Sequence, residues 1–529
     1  MTALLSIENL SIALPRGADR AHAAKDVSFT IDRGEVFCVV GESGSGKSLT
    51  AAAILGLLPP GVRASGGRIL FEGQDLLQLS LPDLRRISGK RIGMVFQDPM
   101  TALNPLHTVG SQVAETFRIH TSLGRAEIAD RVLDLLETMR LPEPRQIARA
   151  YPHELSGGQR QRCVIAMAMA LEPALLIADE PTTALDVTTQ AQILGLIRDL
   201  QARRGMGVMF ITHDFGVVAE VATRIAVMRQ GEVVEQGEAA TILNRPRHPY
   251  SQALIAAMPA LRPPPYQPST AAPVLSVEGV HKTYRRRGRT VAALKDVSLT
   301  LRRGTTLGVV GESGSGKSTL ARCLVKLVEP EQGAIRVLDT DITRLSGSAW
   351  RAQTGRIQMV FQDPFTSLNP RRRVGDLVTQ GIAMRGIRGP DLKDRAEDLF
   401  RLVGLDPAAI DRFPHEFSGG QRQRIGLARA LALEPDVLVA DEPVSALDLS
   451  VQAQVLDLLA SLRRKLGLSM VFITHDLRVA AQVCDRVAIM QRGEVVEEGP
   501  AETLLTAPTH PYSRELLAAV PGRGWAGGR

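Results

Sequence analysis

Two eight-residue stretches of this chain could each grip a row of phosphates. Gly41-Glu42-Ser43-Gly44-Ser45-Gly46-Lys47-Ser48 returns unaltered as Gly311-Glu312-Ser313-Gly314-Ser315-Gly316-Lys317-Ser318, 270 residues later. Both fit the pattern G-x-x-x-x-G-K-[ST]. Glycines let backbone N–H groups turn inward around phosphate oxygens, and the lysine adds a point charge at the β/γ end. Ser48 and Ser318 carry the hydroxyls that would hold Mg²⁺. The candidate nucleotide-binding residues are therefore Gly41, Ser43, Gly44, Gly46, Lys47 and Ser48, with Gly311, Ser313, Gly314, Gly316, Lys317 and Ser318. Each loop follows an apolar run, Val36-Phe37-Cys38-Val39-Val40 or Leu307-Gly308-Val309-Val310, which predicts a buried parallel strand feeding a helix N-terminus.

The rest of each half repeats in the same order. Apolar strands run into acidic pairs at Leu175-Leu176-Ile177-Ala178-Asp179-Glu180 and Val437-Leu438-Val439-Ala440-Asp441-Glu442. Beside a phosphate loop the two carboxylates divide the labour: Asp179 and Asp441 can hold Mg²⁺ through water, while Glu180 and Glu442 can polarise a water in line with the γ-phosphate. Ahead of each pair stands a glycine-rich helix start, Leu155-Ser156-Gly157-Gly158-Gln159 and Phe417-Ser418-Gly419-Gly420-Gln421. Ser156, Gly158, Ser418 and Gly420 thus belong to a second pair of candidate anion sites.

A phosphate loop, a Ser-Gly-Gly-Gln signature, a strand ending in Asp-Glu, a Ser/Thr-Ala-Leu-Asp and a Thr-His-Asp, in that order and twice, resemble the nucleotide-binding domain of ABC transporters over nearly the whole chain. The resemblance implies an α/β fold of two tandem ABC-type P-loop NTPase domains. Each would have a RecA-like α/β core, an antiparallel β subdomain and a helical subdomain. It implies an ATPase with ATP and Mg²⁺ as cofactors, in which Gln97 and Gln362 sense the metal and the membrane partner. It implies that Asp186 and Asp448 lie on loops crossing the dimer interface, and that His213 and His475 contact the γ-phosphate. An aromatic residue ahead of the phosphate loop covers adenine in the family. Tyr284 occupies that position in the second half and Leu14 in the first, so the first site is expected to bind ATP more weakly.

Length and composition agree with two domains: 529 residues, 44% of them hydrophobic, are ample for more than one core. The halves are read as residues 1–261 and 274–529. Between them Arg262-Pro263-Pro264-Pro265-Tyr266-Gln267-Pro268-Ser269-Thr270-Ala271-Ala272-Pro273 forms a proline-rich linker over 262–273, able to span roughly 35 to 40 Å in polyproline geometry. Short alternating segments open each half and suggest an antiparallel sheet on the α/β core. Apolar residues at helical spacing over Glu127–Leu136 predict a helix in the insert that precedes the signature, where the family receives the coupling helix of its membrane subunit. The most apolar stretch near the first loop, Ala51 to Leu58, stops at Pro59-Pro60, well short of the about 20 residues of a membrane span. The alternating Leu5–Leu10 reads as a first strand rather than a signal peptide. A cytosolic protein, peripheral to the inner membrane through permease subunits, is expected. Cys38, Cys163, Cys323 and Cys484 form no C-x-x-C pair and are read as reduced, buried thiols.

Phe96-Gln97-Asp98-Pro99-Met100-Thr101-Ala102-Leu103-Asn104-Pro105 and Phe361-Gln362-Asp363-Pro364-Phe365-Thr366-Ser367-Leu368-Asn369-Pro370 resemble the dipeptide/oligopeptide/nickel branch of ABC importers, which includes glutathione-type members. So do His248-Pro249-Tyr250 and His510-Pro511-Tyr512, although proline at a first helical turn accounts for those triplets structurally. This branch implies two transmembrane permease subunits and an extracytoplasmic solute-binding protein as partners, with no direct contact to the solute. No cysteine follows Cys484, so no iron–sulfur cluster is expected. The alternative is a soluble tandem ABC ATPase acting on ribosomes or nucleic acid. It is disfavoured by the short proline-rich linker and the absence of zinc cysteines. The net charge of +7, with Arg285-Arg286-Arg287 and Arg371-Arg372-Arg373, is read chiefly as solvated surface. Aromatics are only 4% of the chain and none interleaves with those arginines to stack on bases. An exporter fits less well, because exporter ATPases usually share a chain with their membrane spans. Because each half cradles its ATP with its own loop, a signature serine has a phosphate to face only if the halves close head to tail.

Overall fold

Alternating burial makes the opening strand of each half. In β1 (Leu5–Ala13) the side chains of Leu5 and Ile7, and beyond a register irregularity at Asn9 those of Leu10 and Ile12, turn inward, the period-two pattern of a half-buried sheet interrupted once. The computed structural model describes residues 3–525 apart from 184, 287–288, 364–366 and 446. Ala184, Arg287, Pro364, Phe365, Thr366 and Ala446, which belong to stretches read above, lie outside them. The chain divides into two units. The first comprises Met1–Leu185, Thr189–Met258 and Pro521–Gly527, and the second chiefly Pro259–Val520 with Asp186–Thr188.

In the first unit β1 pairs antiparallel with β2 (His22–Ile31) and, on its other side, with β4 (Arg63–Phe71), beyond which lies the short β5 (Gln74–Asp75). β3 (Val36–Val40) leaves this sheet for a second one, of six strands in the order β10-β9-β3-β8-β7-β6. Here β6 is Ile92–Val95, β7 Leu175–Asp179, β8 Gly207–Thr212, β9 Arg224–Arg229 and β10 Glu232–Glu238. All neighbours in it are parallel except the β9–β10 edge pair. Every residue of β3, β7 and β8 is buried, as expected of central parallel strands covered on both faces. Between β6 and β7 the chain makes the helical insert, with helices Val109–His120, Arg125–Thr138 and Pro144–Arg149 followed by Gly157–Met169. The helix expected over Glu127–Leu136 lies inside Arg125–Thr138 and buries Ile128, Val132 and Leu136.

The second unit repeats this plan. Its antiparallel sheet runs β12-β11-β14-β15, with β11 Pro273–Arg286, β12 Arg289–Arg302, β14 Gln332–Val337 and β15 Thr340–Asp341. Its mixed sheet runs β16-β17-β18-β13-β19-β20, with β13 Thr306–Val310, β16 Ile357–Val360, β17 Val437–Asp441, β18 Ser469–Thr474, β19 Arg486–Gln491 and β20 Glu494–Pro500. Ahead of β11 the proline-rich stretch carries no regular structure, and the Tyr266 N–H donates to Glu502 at 2.7 Å. No described helix is long and apolar enough to cross a membrane. All four cysteines are buried and free of disulfides.

Candidate functional site

Parallel register decides what meets at the ends of these strands. In the first unit Val40 of β3 pairs with Thr212 of β8, and Asp179 of β7 pairs with Ile211. The segments that follow, the Gly41 loop, Glu180 and His213, therefore leave the sheet side by side at its carboxyl edge, where open α/β sheets place their ligands. The second unit aligns Val310 with Thr474 and Asp441 with Ile473, so the Gly311 loop, Glu442 and His475 leave together in the same way.

The loop backbone leaves little choice of residue. Gly41 has φ 153° and Gly46 φ 103°, and a Cβ on them would lie 2.2 Å from the Met228 carbonyl and 2.4 Å from the Ala23 carbonyl respectively. Gly311 and Gly316 repeat this against Met490 and Ala293. Lys47, only 5% exposed, is satisfied by the loop itself. Its Nζ donates to the Gly41 carbonyl at 2.7 Å, the Glu42 carbonyl at 2.8 Å and Ser45 Oγ at 3.3 Å. Lys317 does the same with Gly311, Glu312 and Ser315. A buried ammonium is costly unless paired, and these loop carbonyls and the Ser45 hydroxyl pair it. Arg20, which the sequence did not single out, also reaches this loop and donates to the Gly44 carbonyl.

Ser48 Oγ donates to Asp179 Oδ1 at 3.1 Å, and Ser318 Oγ to Asp441 Oδ1 at 3.5 Å. Burial pushes both aspartates up to about 6. A hydroxyl beside a buried carboxylate is an all-oxygen donor set, of the kind that suits Mg²⁺, and a cation there would relieve the buried charge. The neighbouring glutamates go the other way. Burial pushes Glu180 up, but the His213 hydrogen bond and charge, the Thr183 hydroxyl and Lys47 together outweigh it and hold the carboxyl down at about 2. Glu442 is likewise lowered against its burial, chiefly by His475. His213 Nδ1 stands 3.3 Å from Glu180, and His475 Nδ1 stands 3.2 Å from Glu442. Gln97 Nε2 donates to Glu180 at 3.2 Å and Gln362 Nε2 to Glu442 at 2.9 Å. Each glutamate is thus fixed by a histidine just past the end of a neighbouring strand and a glutamine from the start of the insert. Both glutamates also sit at φ 46°, a left-handed conformation that non-glycine residues seldom take away from functional sites.

Ser156 and Ser418 start their helices as capping boxes. Ser156 Oγ accepts the Gln159 N–H at 3.3 Å, and Gln159 Oε1 accepts the Ser156 N–H at 2.9 Å; Ser418 and Gln421 repeat this at 3.4 and 3.0 Å. Gly158 and Gly420 face the next helix so closely that a Cβ would lie 2.5 Å from Thr189 Cγ2 or 2.3 Å from Val451 Cγ1. Asp186 and Asp448 come immediately before the helices Val187–Arg204 and Leu449–Leu466. Tyr284 stands 39% exposed on β11 with Lys282 over its ring, whereas Leu14 is half-buried against the core of its sheet. In the second unit an open cleft of about 800 Å³ lies beside Gln362, lined by Trp350, Phe361, Met384 and Arg429.

Tyr250 and Tyr512 also reach the phosphate loops, a contact that their reading as helix starts and family markers did not include. Their hydroxyls accept the backbone N–H of Glu42 at 3.2 Å and of Glu312 at 3.3 Å.

The ABC transporter family model matches residues 24–183 and again 294–445. The model for the C-terminal region of oligopeptide/dipeptide transporters matches residues 234–278 and 496–524. The chain is 44% identical over 557 residues to the glutathione import ATP-binding protein GsiA of Escherichia coli (strain K12), covering 98% of this chain and 89% of that protein. It is 46% identical over 527 residues to the peptidoglycan transport ATP-binding protein YejF of Agrobacterium fabrum (strain C58 / ATCC 33970), covering 98% and 96%. Among solved structures, a post-hydrolysis dimer of the ATP-binding cassette MJ0796 bound to ADP and Pi matches 43% of this chain and 98% of its own at 29% identity, with a TM-score of 0.40.

The aspartate and glutamate shifts have opposite consequences for stability. The folded Asp179 and Asp441 carboxyls titrate near 6 and the unfolded ones near 3.8. The folded state therefore binds more protons between those values, and the ligand-free protein loses stability as pH rises through that window. Asp179→Asn and Asp441→Asn should each stabilise the metal-free protein by about 1 to 3 kcal/mol at pH 7.5, with the gain vanishing near pH 4. Thermal denaturation in EDTA across that range checks this, and a gain independent of pH would contradict it.

Proposed function

We propose, from the premise that the chain belongs to the ABC transporter ATP-binding family, that it powers a bacterial importer for glutathione-type or peptide-type solutes. The observation that carries the site assignment is the convergence, in each half, of a phosphate loop, a serine hydrogen-bonded to a buried aspartate, and a histidine-held glutamate at one sheet edge. The solute class rests on the relatives' names and on the oligopeptide/dipeptide C-terminal region present in both halves.

In this reading Lys47 and Lys317 exchange their loop carbonyls for the β/γ-phosphates, while the glycine-rich backbone donates to the remaining phosphate oxygens. Ser48 with Asp179, and Ser318 with Asp441, hold Mg²⁺, aided by Gln97 and Gln362. Bound there, the ion would supply charge neutralisation for the phosphates. Glu180 and Glu442, kept ionised, accept a hydrogen bond from the attacking water and aim it in line. His213 and His475 fix those carboxylates and stand ready to donate to the γ-phosphate. Tyr284 covers adenine in the second site, where the first has Leu14.

We assign residues 1–261 and 274–529 to the two halves, tethered by 262–273. They close head to tail, so that Ser418 and Gly420 complete the site of Lys47 while Ser156 and Gly158 complete that of Lys317. Asp186 and Asp448 line the closed interface. The cleft beside Gln362 takes the coupling helix of a permease subunit, so that the glutamine joins the membrane partner to the glutamate it touches. Two permease subunits and an extracytoplasmic binding protein complete the transporter, and this chain attaches to the inner membrane through them without meeting the solute. Deleting the gene should abolish uptake of labelled glutathione or short peptides; uptake of every such solute at the parental rate would sink the importer reading.

Two measurements bear on the site. Changing Glu180 or Glu442 to Gln should leave ATP binding intact while slowing hydrolysis at that site by at least about 10²-fold. Single-turnover rates in the double variant check this, and retained turnover would show the water-polarising role to be misassigned. With the second site silenced by Lys317→Ala, Leu14→Tyr should tighten ATP binding at the first by several-fold, on the order of 1 kcal/mol, as read by titration with a fluorescent ATP analogue. No response would remove the asymmetry.

Closure is tested in the background where both glutamates are Gln, so that ATP is trapped rather than hydrolysed. Lys47→Ala with Ser418→Arg damages one composite site twice, and should leave the other able to trap one nucleotide. Lys47→Ala with Ser156→Arg damages both, and should trap none. Occluded nucleotide per chain after gel filtration, with the mass of the trapped species, gives the answer. Equal non-zero trapping or the reverse order would refute head-to-tail closure.

A further inference from the structure

The His-Pro-Tyr triplets have two separable parts. The first two residues start a helix. His248 Nδ1 accepts the Tyr250 N–H at 3.2 Å, Pro249 fills the first helical turn, and Glu235 on β10 accepts the N–H groups of Arg247 at 2.7 Å and His248 at 3.2 Å. His510, Pro511 and Glu497 on β20 repeat this, with Glu497 accepting from Thr509 at 2.8 Å and from His510 at 3.2 Å. A capped, proline-started helix needs no tyrosine at its next position.

The tyrosine is spent elsewhere. Its ring is buried in both halves, and its hydroxyl accepts the N–H of Glu42 or Glu312. That N–H belongs to the peptide between Gly41 and Glu42, whose carbonyl, on Gly41, is held by Lys47 at 2.7 Å. In the second half Tyr512 and Lys317 hold the two ends of the Gly311–Glu312 peptide in the same way. One peptide at the entrance of each loop is therefore pinned at both polar ends, at a glycine whose φ of 153° or 155° only that residue adopts with ease. A phosphate drawn to the lysine competes for its ammonium. Once the ammonium turns to it, the tyrosine hydroxyl is what keeps that peptide from rotating.

We propose that Tyr250 and Tyr512 are positioning residues of the two nucleotide sites, each holding the first peptide of its phosphate loop open for phosphate, so that the helix after each His-Pro-Tyr is a working part of the site. The inference rests on the phosphate loops being the ATP sites. It goes beyond that reading by assigning a role in binding to a segment some 200 residues along the chain from the loop it supports.

The test removes only the hydroxyl. Tyr250→Phe is made with Lys317→Ala, and Tyr512→Phe with Lys47→Ala, so that one site at a time is read in the full-length protein. The probes are ATP with Mg²⁺ and inorganic tripolyphosphate, titrated by calorimetry. Losing one net hydrogen bond should weaken both probes by about three- to tenfold, because the loop grips phosphate rather than base. In chains with both lysines intact, KM for ATP should rise by a similar factor while kcat stays within about twofold, and the ligand-free melting midpoint should fall by no more than a few degrees. Phenylalanine keeps the ring packing, and the second copy is an independent trial. Unchanged tripolyphosphate affinity, or a loss falling on kcat instead of KM, would overturn the proposal. If a parent lysine variant bound neither probe at its remaining loop, the ATP-site assignment itself would fall.

Discussion

The parallel register that sets Val40 opposite Thr212 and Asp179 opposite Ile211 is the constraint on which the rest of the first site depends. Side chains alternate along a strand, so a slip of one residue between these strands would turn Asp179 from the loop into the opposite face. Strands buried on both faces carry no one-sided pattern to choose the register, so the close fit of particular side chains of β3, β7 and β8 in the core holds it. The second unit repeats the register with Val310, Thr474, Asp441 and Ile473. Chemistry at the sheet edge is thus inherited from a core that contains no chemistry at all.

Two adjacent carboxylates in that edge are driven apart by their partners rather than by their burial, which both share. For Asp179, burial helped by the charge of Glu180 outweighs the Ser48 hydrogen bond and Lys47, and it rises to about 6. Glu180 has His213, Thr183 and Lys47 within reach, and it falls to about 2. Neighbouring acids pushed in opposite directions are a frequent sign of divided roles. Here the raised acid shares a hydrogen bond with Ser48, and the lowered one is held by His213 and Thr183. The left-handed backbone of Glu180 is tolerated because its N–H is held by the Ile211 carbonyl at 2.9 Å.

Several motifs serve local and distant ends at once. The Ser-Gly-Gly-Gln runs cap their own helices with serine and glutamine, which leaves the glycines to admit a close neighbour on one side. The His-Pro-Tyr runs cap theirs with histidine and send the tyrosine to a phosphate loop. A local explanation of such a triplet can therefore be correct and still incomplete.

Repetition, local pattern and spacing were enough to read two α/β halves, the phosphate loops, the strands that end in Asp-Glu and the helix within Arg125–Thr138. Each of these depends on residues close in sequence: an apolar run of strand length, a glycine where a loop must close, a 3.6-residue period. The capping boxes, though they join residues only three apart, were read only as glycine-rich helix starts. What the sequence left open were contacts whose partners are far along the chain. Gln97 meets Glu180 across 83 residues, and Tyr250 meets Glu42 across 208. Arg20, in a loop of no evident pattern, reaches Gly44. Nothing within a window of ten residues encodes such pairings, because they arise when separately formed strands and helices pack against one another. The shifted acidities and the left-handed glutamates are decided at the same stage, since burial and the distance to a charge exist only once the sheet has closed over them.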